Sequence, residues 1–486
     1  ANARMSGAGI NVGAGVDSLI FRGSGDATIS GLYSVGEFAS FASAAGSIDA
    51  YFADSTITGS TIIGSSLSDS FVFAAALTGN TIDTGLGTDT LRFSSTFNGG
   101  LSGLSDANEL VSFANTALVT FSGSIDAGST IISMAGNDSM RFSSTVGGAT
   151  IDTGAGVDTL YFAAAVNGAS IDAGASADSM IFASTMSGRI SGLFSDGEYV
   201  SFGSNASVQF GSGIGAGSTI QFSSANDSVT FEAPVTAFVN SVGGLDTLVF
   251  NGSANTVIFG GTYTSSQFGF GSGSDSISFA SGTTIGGAGA KLAGGLGNDS
   301  ISGSFTLGGS ISFWGDGSAS VSTNSSQNDI FYMGGMTGTG SQTAYFWNGT
   351  TNASTASDTI VFSNISNNGV NEFFGFGAQI TGGNSYINIG SAGSIWGSST
   401  AVSSYFGFSN SISALTGAGV DAGISAAWTG GDAVTLLFAN SVSATAGTVG
   451  VVIQGFGGSV AASSFATAYG VRSISSGIGV AIPTFS

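Results

Sequence analysis

The stretch Thr150-Ile-Asp152-Thr-Gly154-Ala-Gly156-Val-Asp158-Thr-Leu160-Tyr-Phe162 is answered by Ser170-Ile-Asp172-Ala-Gly174-Ala-Ser176-Ala-Asp178-Ser-Met180-Ile-Phe182. Each copy has a small-residue turn, an acid, an apolar residue two places on and Phe four places on. Side chains at i+2 and i+4 of a strand lie on one face. Each copy therefore reads as a turn closed by a carboxylate, then a short strand with two apolar residues inward. The phrase recurs from Asp17, Asp69, Asp89 and Asp138 to Phe21, Phe73, Phe93 and Phe142. It recurs again from Asp227, Asp246, Asp275 and Asp358 to Phe231, Phe250, Phe279 and Phe362. Glu37, Glu109 and Glu198 open the same phrase. A fixed period implies a stacked architecture, with Phe over Phe and carboxylate over carboxylate.

Asp69, Asp89 and Glu109 are evenly spaced, and Asp138, Asp158, Asp178 and Glu198 keep the same step. The steps from Glu109 to Asp138 and from Glu198 to Asp227 are longer, and equal to each other. Their nine extra residues suggest one added strand-turn unit, so a longer coil is expected after each Glu coil. Each Glu coil is also announced by a shared phrase, Ile29-Ser-Gly-Leu32, Leu101-Ser-Gly-Leu104 or Ile190-Ser-Gly-Leu193, and followed by Ser-Thr-Ile at Ser60, Ser129 or Ser218.

The turns carry the candidate chemistry. Gly294-Gly-Leu-Gly-Asn-Asp299-Ser-Ile301 has the form Gly-Gly-x-Gly-x-Asp-x-apolar, and the turns before Asp17, Asp89, Asp158 and Asp275 lack only its first Gly. The turn before Asp178 has Ser176 in a Gly position, and the turn before Asp69 has neither Gly. Glycine opens backbone angles closed to other residues and lets carbonyls converge. Calcium takes six to eight oxygens, from carboxylates and carbonyls. Two carboxylates ~5 Å apart repel by up to about 3 kcal/mol at an effective dielectric of 20. A column of them needs counter-charge, yet the chain has seven Lys and Arg, of which only Arg92 and Arg141 fall inside the repeat. The candidate metal ligands are Asp17, Asp69, Asp89, Asp138, Asp158, Asp178, Asp227, Asp246, Asp275 and Asp299, expected in one column along one edge. Asp83, Asp152 and Asp172 each precede a ladder Asp by six residues and are candidates for a second carboxylate on the same ion. The alternative for all of these is a plain turn acid held by hydrogen bonds. The sequons at Asn137, Asn226 and Asn298 lie inside the turns and are read as turn chemistry.

These motifs resemble RTX-type proteins, and more narrowly RTX-type bacterial surface-layer proteins. Trp428-Thr-Gly-Gly-Asp432 through Phe438, with Val451 through Gly457, is similar to that family's closing hairpin and final strand. The resemblance implies bound calcium, export and assembly at the cell surface. One departure is that each regular coil carries an Asp turn on one side only.

Composition fits an extracellular structural protein. There are 81 Gly, no His and no Cys, and charged residues make up 7%. Without Cys, rigidity must come from strand stacking and ions rather than disulfides. A net charge of −22 argues against nucleic acid and anionic lipid as partners and favours cations. No signal peptide is visible at Ala1-Asn-Ala-Arg4, and no apolar run is long enough for a transmembrane helix. Catalysis finds little support: His and Cys are absent, Lys occurs once, and the acids repeat in near-identical settings whereas acid/base pairs need different ones.

The expected fold is all-β, a right-handed parallel β-solenoid of β-roll or β-helix type over residues 1–370, with a β-rich C-terminal module for assembly or capping at 371–486. The expected role is a secreted, non-enzymatic subunit of a surface layer or filament, stabilised by Ca2+, with its own copies and cell-surface polysaccharide as partners. Apolar residues expected to face outward (Ile20, Val72, Ile181, Val249, Val361) suggest a covered stripe. The alternatives are an adhesin stalk or an ice- or surface-binding solenoid; an outer-membrane barrel would instead need antiparallel strands.

Overall fold

The computed structural model describes residues 4–316 except 43 and 55, then 329–338, 342–348, 359–363, 370–376, 386–390, 406–407, 433–438, 449–454 and 473–474. Every regular element among them is a β-strand. No helix there is long and apolar enough to cross a membrane. The chain forms two compact units, residues 1–223 and 224–486.

In the first unit the strands form two parallel sheets with the core between them. One sheet aligns Ser70, Thr90, Leu110, Thr130 and Thr150 across successive strands. The other aligns Phe121, Phe142, Phe162, Phe182 and Phe202. The pairing is that of a parallel β-solenoid, in which each coil contributes one stretch to each sheet, and it removes the antiparallel barrel from consideration.

The long step from Glu109 to Asp138 has a different cause from the longer coil expected. Leu110 aligns with Thr130, and Thr130 with Thr150, so the coils keep their regular period and none is lengthened there. The phrase instead moves half a coil. From Ser70–Phe73 to Leu110–Phe113 the short acid-led strands lie in the first sheet, and from Ser139–Phe142 to Tyr199–Phe202 they lie in the second. The longer strands, such as Phe97–Ser102 and Val166–Asp172, change sheets in the opposite sense.

The second unit repeats the scheme. Thr247–Phe250 pairs between Ser228–Phe231 and Gln267–Phe270 in one sheet, and Ser276–Gly286 between Thr256–Thr264 and Ser300–Leu307 in the other. Here coils do lengthen: Ser276 aligns with Ser300, and Ser300 with Ile330. Near the end, Ala433–Phe438 and Val449–Gln454 form an antiparallel pair, and the second of these runs parallel to Val370–Phe376. A closing hairpin was expected at this place; Trp428 and Asp432 lie outside the described residues.

The core is a column of rings. Phe162 lies 4.6 Å from Phe142 and 4.8 Å from Phe182, within 5° of parallel to both. Phe73, Phe93 and Phe113 stack likewise, as do Phe231, Phe250 and Phe270 in the second unit. The coil repeat of ~4.8 Å matches a favourable centroid separation for rings, so one residue type can fill the same place in every coil.

The turns explain the glycine pattern. Gly154 and Gly156 have φ of 78° and 141°, and a Cβ on either would strike the turn below. The Gly in the phrase before each Glu coil has its own reason. A Cβ on Gly103 would lie 2.6 Å from the Gly85 nitrogen and 2.7 Å from Asp83 Oδ1, inside the preceding coil's turn. Ser176 holds φ of 97° where the repeat has Gly. A side chain in that region costs roughly 1–3 kcal/mol. Ser176→Gly should therefore stabilise the protein by about 1 kcal/mol, the rest being offset by a freer unfolded chain. A denaturation midpoint unchanged or lowered would contradict this.

The outward apolar residues do not form one stripe. Ile20 and Ile181 lie on one sheet, Val72 on the other. Within the second unit Val249 is flanked by Thr230 and Gly269. The Val361 side chain lies outside the described ones.

Candidate functional site

The ladder acids end the turns just before the short strands. There each residue's N–H points along the stack and meets no strand partner. The acid of the next coil accepts it. Asp69 N–H donates to Asp89 Oδ1 at 2.7 Å, and Asp89 N–H to Glu109 Oε2 at 2.9 Å. On the other edge Asp138 donates to Asp158, Asp158 to Asp178 and Asp178 to Glu198, at 2.7–2.8 Å. Serine closes each run: Glu109 N–H donates to Ser129 Oγ and Glu198 N–H to Ser218 Oγ. In the second unit Asp227 leads to Asp246 and then Ser266, while Asn255 leads through Asp275 and Asp299 to Asp329. A neutral Asn or Ser suffices where only the N–H must be met.

Three features depart from the sequence reading. The acids do not form one column along one edge. In the first unit one block (Asp69, Asp89, Glu109) lies at the edge leading into the first sheet. The next (Asp138 to Glu198) lies at the opposite edge, as the half-coil shift requires. Asp17 and Glu37 also precede strands of the second sheet. Second, Asp69, whose turn lacks both glycines, has both carboxylate oxygens engaged: it accepts from Ile48 N–H at 2.8 Å, Ser65 N–H at 2.6 Å and Ser65 Oγ at 2.9 Å. Third, the sequence alone does not point to the capping serines or to the Asn rungs, Asn255 and Asn80, whose Oδ1 accepts the Ser60 N–H at 2.8 Å, although the Ser-Thr-Ile phrase marks two of the caps. Asp69→Ala leaves buried donors unmet, each worth about 1–3 kcal/mol, so it should destabilise by ~3 kcal/mol, with Asp69→Asn milder. Chemical denaturation of both variants checks this order.

Most rungs use only one carboxylate oxygen. Asp89, Glu109, Asp178 and Glu198 each bury a second oxygen with no hydrogen-bond partner. Burial pushes these groups up, against the pull of the N–H they accept: Asp89, Asp178 and Glu198 to about 7 and Glu109 to about 8. Asp138 and Asp246 rise to about 6, also through burial. Neighbouring carboxylates add to the shift at Asp89, Glu109, Asp138 and Asp178.

The preceding acids play a separate part. Asp83, Asp152 and Asp172 are half-buried, and each accepts the N–H of the Gly two residues on, at 3.0–3.3 Å. That bond shapes the start of the turn. Asp172 also lies close enough to Asp178 to help raise it. Asn137 Oδ1 accepts Val157 N–H, and Asn226 Oδ1 accepts Leu245 N–H, so these two sequon asparagines tie one turn to the next.

The donor set suits a hard cation. All the groups are oxygens, and the unpartnered ones are buried carboxylates. At Gly294 a Cβ would lie 2.6 Å from both Asp299 Oδ2 and the Gly315 carbonyl oxygen, so turn and ladder oxygens converge there. Among the described residues no three acidic side chains close on a common point, so further ligands would be backbone carbonyls, Ser or Asn oxygens, or water. No family model matches the chain, and no curated protein or solved structure is significantly similar to it.

Proposed function

We propose that this chain is a non-enzymatic structural subunit of an extracellular self-assembling array, a surface layer or filament, stabilised by calcium. The observation that supports this reading most is the stacked run Asp138, Asp158, Asp178, Glu198, buried and without a cationic partner among the described residues. The residues that would hold the ion are the ladder acids Asp17, Asp69, Asp89, Asp138, Asp158, Asp178, Asp227, Asp246, Asp275 and Asp299, with Asp83, Asp152 and Asp172 beside three of them. Calcium would supply the positive charge this column lacks. The chain's own part is to hold successive carboxylates in register through their N–H bonds. A catalytic role would need acids in contrasting environments, whereas these share one.

The ice-binding alternative needs a regular outward Thr column. The outward positions instead run Arg141, Tyr161, Ile181, Ser201 on one sheet, and on the other the Thr column is broken by Leu110, Ser170 and Arg189 in the run Thr90, Leu110, Thr130, Thr150, Ser170, Arg189. The test is electron microscopy with sedimentation of the purified chain. Ordered sheets or filaments with calcium, dispersed by chelator, are expected. A monomer at high concentration with calcium would reject the array in favour of an adhesin stalk.

A further inference from the structure

Three Asn-Gly pairs lie wholly within the described residues: Asn98–Gly99, Asn167–Gly168 and Asn251–Gly252. The pair is chemically reactive, because glycine sets no side chain in the way when its backbone nitrogen closes on the Asn side-chain carbonyl. Closure turns the glycine peptide out of its place, so ladder pairing and packing oppose it. The three pairs differ on both counts. Gly99 stands in register between Asn80 and Val119, with its backbone packed against the Asn80 carbonyl. Gly252 is buried against Ala233 and Pro234, and its carbonyl accepts from Asn255 Nδ2 at 2.7 Å. Gly168 is held by neither means. On one side the pairing steps from Asn167 with Ser187 to Ala169 with Gly188 and passes Gly168 over. On the other side Asn167 pairs with Gly147, and pairing resumes at Ser170. Gly168 is thus a bulge residue, out of register with both neighbouring strands. It is exposed, as is Asn167, its φ is 72°, and a Cβ there would meet nothing within 4 Å. Its N–H is held by one side chain, Ser187 Oγ at 3.1 Å.

We propose that Asn167–Gly168 is a modification site, at which the chain deamidates spontaneously with water as the only co-reactant. The Gly168 nitrogen gives its proton to solvent base and bonds to Asn167 Cγ. The Cγ–Nδ2 bond breaks, and Nδ2 leaves as ammonia. The product is a five-membered succinimide. Water then opens that ring at either carbonyl. One opening yields an ordinary aspartate side chain, the other an isoaspartate whose backbone runs through the former side chain. Nothing is oxidised or reduced, and either product adds one negative charge to an exposed position. The isoaspartate also adds one carbon to the backbone. Because Gly168 is unpaired on both sides, that carbon enters without breaking a ladder pair, and the coils keep their register. The inference is independent of calcium and of assembly.

Ageing the full chain at pH 8, with peptide mapping by mass spectrometry at intervals, tests this. The peptide holding Asn167 should convert to the acidic form about tenfold faster than those holding Asn98 or Asn251, since only its glycine needs no opening of the ladder. Part of the product should score as isoaspartate. Conversion should be slower at pH 6, where the Gly168 nitrogen loses its proton less readily. In denaturant the three pairs should react alike, because the fold alone separates them. Gly168→Ala should slow conversion about tenfold, a methyl group now obstructing closure. Should that variant fold poorly at a positive φ, Asn167→Gln tests the same point: its longer side chain closes the ring poorly, so no acid should form at position 167 while the melting temperature stays that of wild type. Fresh and aged wild-type protein should share one circular dichroism melt. An Asn167 that stays intact while Asn98 or Asn251 reacts overturns the site, and so do three equal rates in the folded protein. A rate indifferent to pH overturns the succinimide route. A melting temperature that falls as conversion proceeds overturns the claim that the bulge accommodates the product.

Discussion

Phe162→Ala should destabilise the protein by about 3–5 kcal/mol, the usual cost of emptying an aromatic core position. The ring has no exposed surface, and parallel rings cover it above and below. Removing it costs the transfer of the side chain, both stacking contacts and the void left between them. That void has little way to close, because Phe142 and Phe182 are held by strands at a fixed ladder spacing. In a stack where each coil touches only its neighbours, the loss should be felt first near the substitution. Hydrogen exchange should accelerate in the strands containing Phe142, Phe162 and Phe182 before more distant coils respond, and limited proteolysis should open near residue 160. A loss below about 1 kcal/mol, or exchange rising evenly along the chain, would mean that the column is not the main support of these coils.

The Phe column was legible because its period is strict and its chemistry simple: an inward position two residues past Leu160 can hold little else. The acid turns were legible for the same reason, and Asp138, Asp158 and Asp178 do stack. The edge on which they stack was not. The long step from Glu109 to Asp138 reads equally well as one long coil or as a coil and a half, and only the pairing of Phe121 with Phe142 decides between them. The standing of Asp69 was hidden by its turn, since Ser65 supplies by side chain and backbone what glycine-rich turns arrange otherwise. Ser129 and Ser218 look like ordinary strand-edge serines until the N–H of a Glu one coil earlier is seen to need them.

With divalent cations chelated, thermal stability should be highest near pH 4 and fall steadily toward pH 8. Unfolded Asp and Glu titrate near their ordinary values of about 4. In the folded protein burial holds Asp138 and Asp246 up to about 6, Asp89, Asp178 and Glu198 to about 7, and Glu109 to about 8. Between those limits the folded state binds more protons than the unfolded one, so stability drops as pH rises. The contribution is complete below about pH 4, where both states are protonated, and is lost once pH passes the folded values. Calcium would take over the role of the protons, so melting temperature in calcium should vary far less across the same range, and the gap between calcium and chelator should widen with pH. Asp178→Asn sharpens the test. Its side-chain oxygen can still accept the Asp158 N–H, but one charge leaves the middle of the run, next to Glu198, Asp158 and Asp172. In chelator this variant should melt higher than wild type at pH 8 and no higher at pH 4, while gaining less from calcium. A chelated protein whose stability is flat or rises from pH 4 to pH 8 would show that the buried carboxylates are neither protonated nor in need of counter-charge, leaving the ladders as backbone hydrogen-bond acceptors alone.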